Sequence, residues 1–220
     1  MTTHTQLTLA EELVLIALDD ESGSLISLPQ FSLEFALAAA LVMELTLVGR
    51  IDTDPEKLFV LSSEPTGNAL LDDALAQISA EPQVQPTGVW LRRLSQPGPE
   101  LCERVIGGLV DRGVLRSLEK RLLWVFKTRA YPPTSGLEER EVKSRVMTLL
   151  NNDEIPDTRD ALLVGLLRAT GIIERLLSTT ELHRLSPRIN QIANLEEISR
   201  ELSSTIAELQ AVLASAFMFG

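Results

Sequence analysis

The chain has 220 residues, 45% of them hydrophobic, 23% charged and only 4% aromatic, which allows one well-buried aliphatic core and would leave two domains each small. Its single cysteine, Cys102, excludes a disulfide framework and a cysteine-rich zinc site; it suits a reducing compartment and reads as a small buried hydrophobe. A formal net charge of −11 repels nucleic acid and anionic membranes unless positive charge is gathered in one place, and no nucleic-acid partner is expected.

Met1 to Leu7 is polar and lacks a basic n-region, so no secretory signal is expected. Thr8-Leu-Ala-Glu11 is a capping box, and Leu9, Leu13 and Ile16 follow at helical spacing up to Asp19-Asp20-Glu21-Ser-Gly23. Ser32 can cap a second helix to about Leu47, stopped by Gly49. Apolar on nearly every side, that helix is expected at the centre of the fold. It is also the best membrane-span candidate, but Glu34 and Glu44 cut its uncharged run well short of the roughly 20 residues a span needs. A cytoplasmic location follows.

Ile51 to Leu61 reads as two short strands around Asp54-Pro55-Glu56-Lys57, and the turn Pro65-Thr-Gly67-Asn68 leads into a helix over Ala69 to Ile78. A short helix around Val89 to Ser95 and a longer one from Glu100 to Arg112, ended by Gly113, come next. Gly107-Gly108 inside the longer helix suggests close packing. Val114 to Leu118 and Leu122 to Lys127 are β-prone runs separated by Glu119-Lys120-Arg121, a hairpin pattern. Beyond it everything reads as helix: a capping box at Ser135 to Glu138, a cap at Asp157, Ser186-Pro187 as cap and first-turn proline, and a last helix opened by Asn194. One mainly α domain over residues 1–220 is expected.

Catalytic groupings are scarce. His4 and His183 lack companions at metal-ligand spacing, and the carboxylate pairs Asp19-Asp20 and Asp72-Asp73 point in different directions if helical. With no Gly-rich phosphate loop and no nucleophile elbow, no enzyme, metal or cofactor is expected.

What stands out is charge. Between positions 112 and 129 lie Arg112, Arg116, Lys120, Arg121, Lys127 and Arg129, opposed by Glu119 alone; the bland reading is a solvated face. Interleaved with them are Leu122, Leu123, Trp124 and Phe126, where Leu122, Trp124 and Phe126 alternate onto one strand face. An apolar and basic protrusion suits a membrane interface or a contact between copies of the chain.

The runs LTLAEELVLIALDDESG from Leu7, ALVMELTLVGRI from Ala40, EPTGNALLDDAL from Glu64, ERVIGGLVDRGVL from Glu103 and DTRDALLVGLLRATGIIE from Asp157 together resemble the Golgi phosphoprotein 3 family, as a bacterial-type member. The resemblance implies a central helix bundle ringed by amphipathic helices, with a projecting β-hairpin used for self-association and membrane contact. It also implies a peripheral membrane protein that recognises phosphatidylinositol 4-phosphate on Golgi membranes and helps retain glycosyltransferases. The eukaryotic members' headgroup pocket, a tryptophan and three arginines, falls here at about Pro29, Ala38, Pro99 and Cys102, so none of the four is kept. Anionic lipid is then expected at Arg92, Arg93, Arg104, Arg112 and Arg116, with Arg121, Leu122, Leu123, Trp124, Phe126, Lys127 and Arg129 as the membrane or oligomer hairpin. The alternative is a non-catalytic protein-interaction scaffold that self-associates through the same hairpin.

Overall fold

A computed structural model describes residues 6–19, 22–28, 32–53, 57–95, 99–122 and 126–193, with residues 99, 119–122 and 126–129 described by backbone alone. Helix α1 (Leu9–Ala17) is buried along its whole length. The expected capping box forms: the Thr8 hydroxyl accepts from the Glu11 amide at 3.3 Å and Glu11 accepts from the Thr8 amide at 2.7 Å. Helix α2 (Ser32–Leu47) is buried without a break from Ala36 to Leu45, and α7 (Thr158–Ala169) from Asp160 to Leu167. A helix apolar on all sides must be covered on all sides, and these three pack on one another at the centre.

Around them lie α3 (Ala69–Ala80), α4 (Thr87–Leu94), α5 (Pro99–Asp111), α6 (Leu137–Asn151), the single turn α8 (Ile173–Leu176) and α9 (Thr179–Ala193). Several of these bury one stripe, such as Leu71, Ala74, Leu75 and Ile78 of α3 or Val142, Val146 and Leu150 of α6. The fold is therefore mainly α, one domain built on one core. Strands β1 (Ile51–Thr53) and β2 (Leu58–Val60) form the first hairpin, with Ile51 opposite Val60.

Five local expectations need correction. The second hairpin is β3 (Leu118–Leu122) with β4 (Phe126–Ala130), so Glu119, Lys120 and Arg121 lie in a strand and not in the turn. Val114 and Leu115 are drawn into the core directly after Gly113, with Thr134 donating to the Val114 carbonyl at 2.8 Å and Arg116 to that of Pro132 at 2.9 Å; the free ribbon begins only beyond them. Helix α9 runs through Pro187. It starts at a second capping box, Ser178 with Glu181, and burial of Leu185, Ile189 and Ile192 outweighs the roughly 3 kcal/mol that an interior proline costs. At α6 the cap position is Gly136, while Ser135 accepts from the Leu137 amide at 3.1 Å. Gly107, lastly, has nothing within 4 Å of where a Cβ would stand, so close packing does not explain it. The last helix expected from Asn194 lies outside the described residues.

The base of the second hairpin is tied to the loop after α1. Gly23 has φ +63°, and a Cβ there would meet the Pro132 nitrogen at 2.7 Å; the Tyr131 amide donates to the Gly23 carbonyl at 2.6 Å. Gly49 has a similar φ of +65° but open space around it. Gly49→Ala is expected to cost about 1 kcal/mol from left-handed strain alone. Gly23→Ala should cost about 3 kcal/mol, because backbone must also move. Urea midpoints of the two variants check this, and equal losses would show that the contact with Pro132 is not tight.

Candidate functional site

The charges closest to the core form a network whose partners lie far apart along the chain. Glu11 closes the α1 cap and also pairs with Arg112 at the end of α5, at 2.6 Å. Glu12 pairs at 2.7 Å with Arg145 of α6, whose Nε reaches Asp160 of α7 at 2.7 Å. Arg159 of α7 pairs with Glu44 of α2 at 2.7 Å and donates to the Leu7 carbonyl, while Glu44 accepts the Leu9 amide at 2.7 Å. One set of ion pairs thus joins the N-terminal end of α1 to α2, α5, α6 and α7.

Burial pushes the Glu12 and Asp160 carboxyls above their ordinary values, and Arg145 pulls both part of the way back. Glu12 Oε2 and Arg159 Nε stand 3.7 Å apart, each without a hydrogen-bond partner among the described residues. Each carboxylate is engaged by arginine or a backbone amide, which makes the network a lock between helices. The signal for it was present in the sequence: Glu11, Glu12 and Glu44 interrupt apolar helices, and a charge that must be buried needs a partner.

The five arginines expected at a lipid site come from α4, α5 and the segment after it. Arg93 pairs with Glu81 at 2.6 Å and stacks over Trp90, 5.0 Å from the ring centroid. Arg104 pairs with Asp73, and Arg112 with Glu11. Arg92 and Arg116 are exposed, and neither pairs with a described carboxylate. Asp72, next to Asp73, instead accepts from the Thr66 amide and hydroxyl at 2.6 and 2.7 Å, which hold its carboxyl below the usual range. At two of the positions to which the sequence resemblance assigns the eukaryotic pocket, Ala38 and Cys102 are buried. Burial pushes the Cys102 thiol up to about 12.

The ribbon β3–β4 has its own order. Its register sets Arg121 opposite Lys127, Glu119 opposite Arg129 and Leu122 opposite Phe126. Since directly opposed residues share a face and alternate along each strand, positions 119, 121, 127 and 129 fall on one face, and 118, 120, 122, 126, 128 and 130 on the other, so Lys120 and Thr128 share the face of Leu122 and Phe126. Leu122 and Phe126 do share a face, but as partners across the two strands; Leu123 and Trp124 lie outside the described residues. Leu118 is 46% exposed whereas Ala130, at the base, is fully buried. No other element packs extensively on either strand among the described residues, so the ribbon projects. None of the helices described is long and apolar enough to cross a membrane.

These features define a class: a mainly helical domain locked by buried arginine–carboxylate pairs and carrying one projecting ribbon, with charged residues at every position of one face and mainly apolar ones on the other. Known proteins narrow it. Residues 9–209 match the family model for Golgi phosphoprotein 3 (GPP34), and the chain belongs to that family. It is similar to vacuolar protein sorting-associated protein 74 of Eremothecium gossypii, with 29% identity over 210 residues covering 80% of this chain and 62% of the relative. The protein of the same name from Schizosaccharomyces pombe is 28% identical over 167 residues, 67% of this chain and 49% of the relative. The chain therefore spans less than two thirds of the length of either relative.

Proposed function

We propose that this protein is a non-catalytic, cytoplasmic, peripheral membrane module of one domain over residues 1–220 that reads anionic lipid headgroups through its projecting ribbon. The observation that carries the reading is the register. Arg121 directly opposes Lys127, on the face that also holds Arg129. Like charges placed opposite each other destabilise a ribbon, and an anionic surface lying over them removes that penalty. Each cation near an anionic leaflet contributes on the order of 1 kcal/mol; Arg129 is set opposite Glu119, so Arg121 and Lys127 supply about 2 kcal/mol. Arg92 and Arg116, exposed, are the remaining expected lipid-site arginines best placed to add to this; Arg93, Arg104 and Arg112 already face carboxylates. With Ala38 and Cys102 where the relatives' pocket has arginines, phosphatidylinositol 4-phosphate is bound weakly or without selectivity over other anionic lipids.

A second reading, self-association, draws on the opposite face of the ribbon, where Leu118, Leu122 and Phe126 fall together beside Lys120 and Thr128. It complements the first, because several ribbons in one assembly bind a membrane with avidity. Flotation with vesicles of different anionic lipids, alongside light scattering, separates the two. Membrane binding should fall as salt rises, through screening over about 8 Å at physiological ionic strength, whereas apolar self-association should hold. Trp124→Ser combined with Phe126→Ser should cut whichever association the wild type shows by at least tenfold. A double variant that floats and self-associates like the wild type would remove the ribbon from both readings.

A further inference from the structure

Away from the ribbon, a cavity of about 380 Å³ opens between the end of α1, the loop after it, α6 and α8. That volume lies within the range of small-molecule sites. Its floor is Ile16, Leu18 and Val146, all buried, and its walls are the half-buried Ile26, Met147 and Leu176. Three half-exposed apolar side chains around one opening gain most from an apolar occupant, and Met147 adapts its shape readily.

The mouth carries charge: Asp19, Lys143 and Arg175. Asp19 accepts the Ser22 amide at 2.7 Å, and Lys143 pairs with Glu139 at 2.7 Å. Arg175 is exposed and pairs with no described carboxylate. A guanidinium at the rim of an apolar cavity selects a ligand with an anionic head and an apolar body, since the planar fork matches carboxylate and phosphate oxygens in pairs.

We propose that this cavity binds a single-chain anionic amphiphile, with its tail on the Ile16–Leu18–Val146 floor and its carboxylate or phosphate at Arg175. The site is on different elements from the ribbon and does not depend on membrane contact. Calorimetric titration of the full chain without vesicles, below the micellar range, tests it with dodecanoate, dodecyl phosphate, dodecanol and inorganic phosphate. Dodecanoate, dodecyl phosphate or both should bind at one per chain; whichever does identifies the head, and inorganic phosphate alone should not bind. Arg175→Glu should weaken the anionic amphiphiles at least tenfold, and Met147→Trp, which fills the cavity, should abolish binding. Arg175 is on the surface, so its variant remains decisive even if Met147→Trp fails to fold. Absence of binding by both anionic amphiphiles, equal affinity for dodecanol, or affinity unchanged in Arg175→Glu would each overturn the proposal. Because no vesicle is present, failure of the lipid-surface reading leaves this result standing, and the reverse.

Discussion

Replacing Arg145 by Met is expected to lower stability at neutral pH by about 3 kcal/mol. Removing one partner of a buried ion pair typically costs about 3–5 kcal/mol because the other charge is left buried and uncompensated. Here two carboxylates lose their partner at once, Glu12 and Asp160. The lower end of the range applies because 33% of the Arg145 side chain is still in water. The pH dependence is the sharper test. Both carboxyls titrate above their ordinary values of 4.5 and 3.8 in the folded protein, pushed up by desolvation. A group raised in this way contributes stability that is full below its unfolded value and lost as pH rises through its folded value. Without Arg145 the two folded values rise further, so the variant loses more over a wider window. The gap between variant and wild type should thus be widest near neutrality and narrow as pH falls through the raised folded values, where Glu12 and Asp160 take up their protons. Urea midpoints with unchanged slopes at neutral and mildly acidic pH measure it. A deficit independent of pH would mean that lost packing, and not stranded charge, is the cause.

Glu44→Ala should cost more, about 4 kcal/mol, since this carboxylate serves two partners in a drier place. It accepts the Leu9 amide at the first turn of α1 and pairs with Arg159, whose side chain is only 15% exposed. Its loss leaves a buried amide without an acceptor and frees a guanidinium whose Nε already has no hydrogen bond among the described residues. Glu44→Gln keeps one acceptor and should lose less. A double-mutant cycle with Arg159→Met should return a coupling of about 2 kcal/mol or more; additivity would show that Glu44 acts through the Leu9 amide alone. If Glu44→Ala melts α1 first, amide exchange at Leu13 and Ile16 should rise ahead of exchange in α7.

The ribbon shows where local reading stops. Its apolar and basic composition and its hairpin character were legible, because alternation over a few residues is a property of the strand itself. The register was not. Whether Glu119-Lys120-Arg121 turns or pairs depends on how much of the preceding segment the core takes, and Val114 and Leu115 are held there by Thr134 and by a bridge to Pro133. Pro187 misled for a similar reason: its local preference for a first turn is overridden by the contacts that Leu185, Ile189 and Ile192 make with the rest of the core.

By itself the sequence determined the helices and their ends at Thr8, Asn68 and Asp157, because a cap is made by side chains and amides two or three residues apart. It determined the central place of α2 as well, since an apolar surface on all sides admits no other. Only the tertiary structure decided which charges are partners. Glu44 meets Leu9 across 35 positions, Arg159 across 115, and Glu12 meets Arg145 across 133. No local periodicity encodes such distances; they are set when helices α1, α2, α6 and α7 close on one core, and burial then makes each unpaired charge too costly to leave alone.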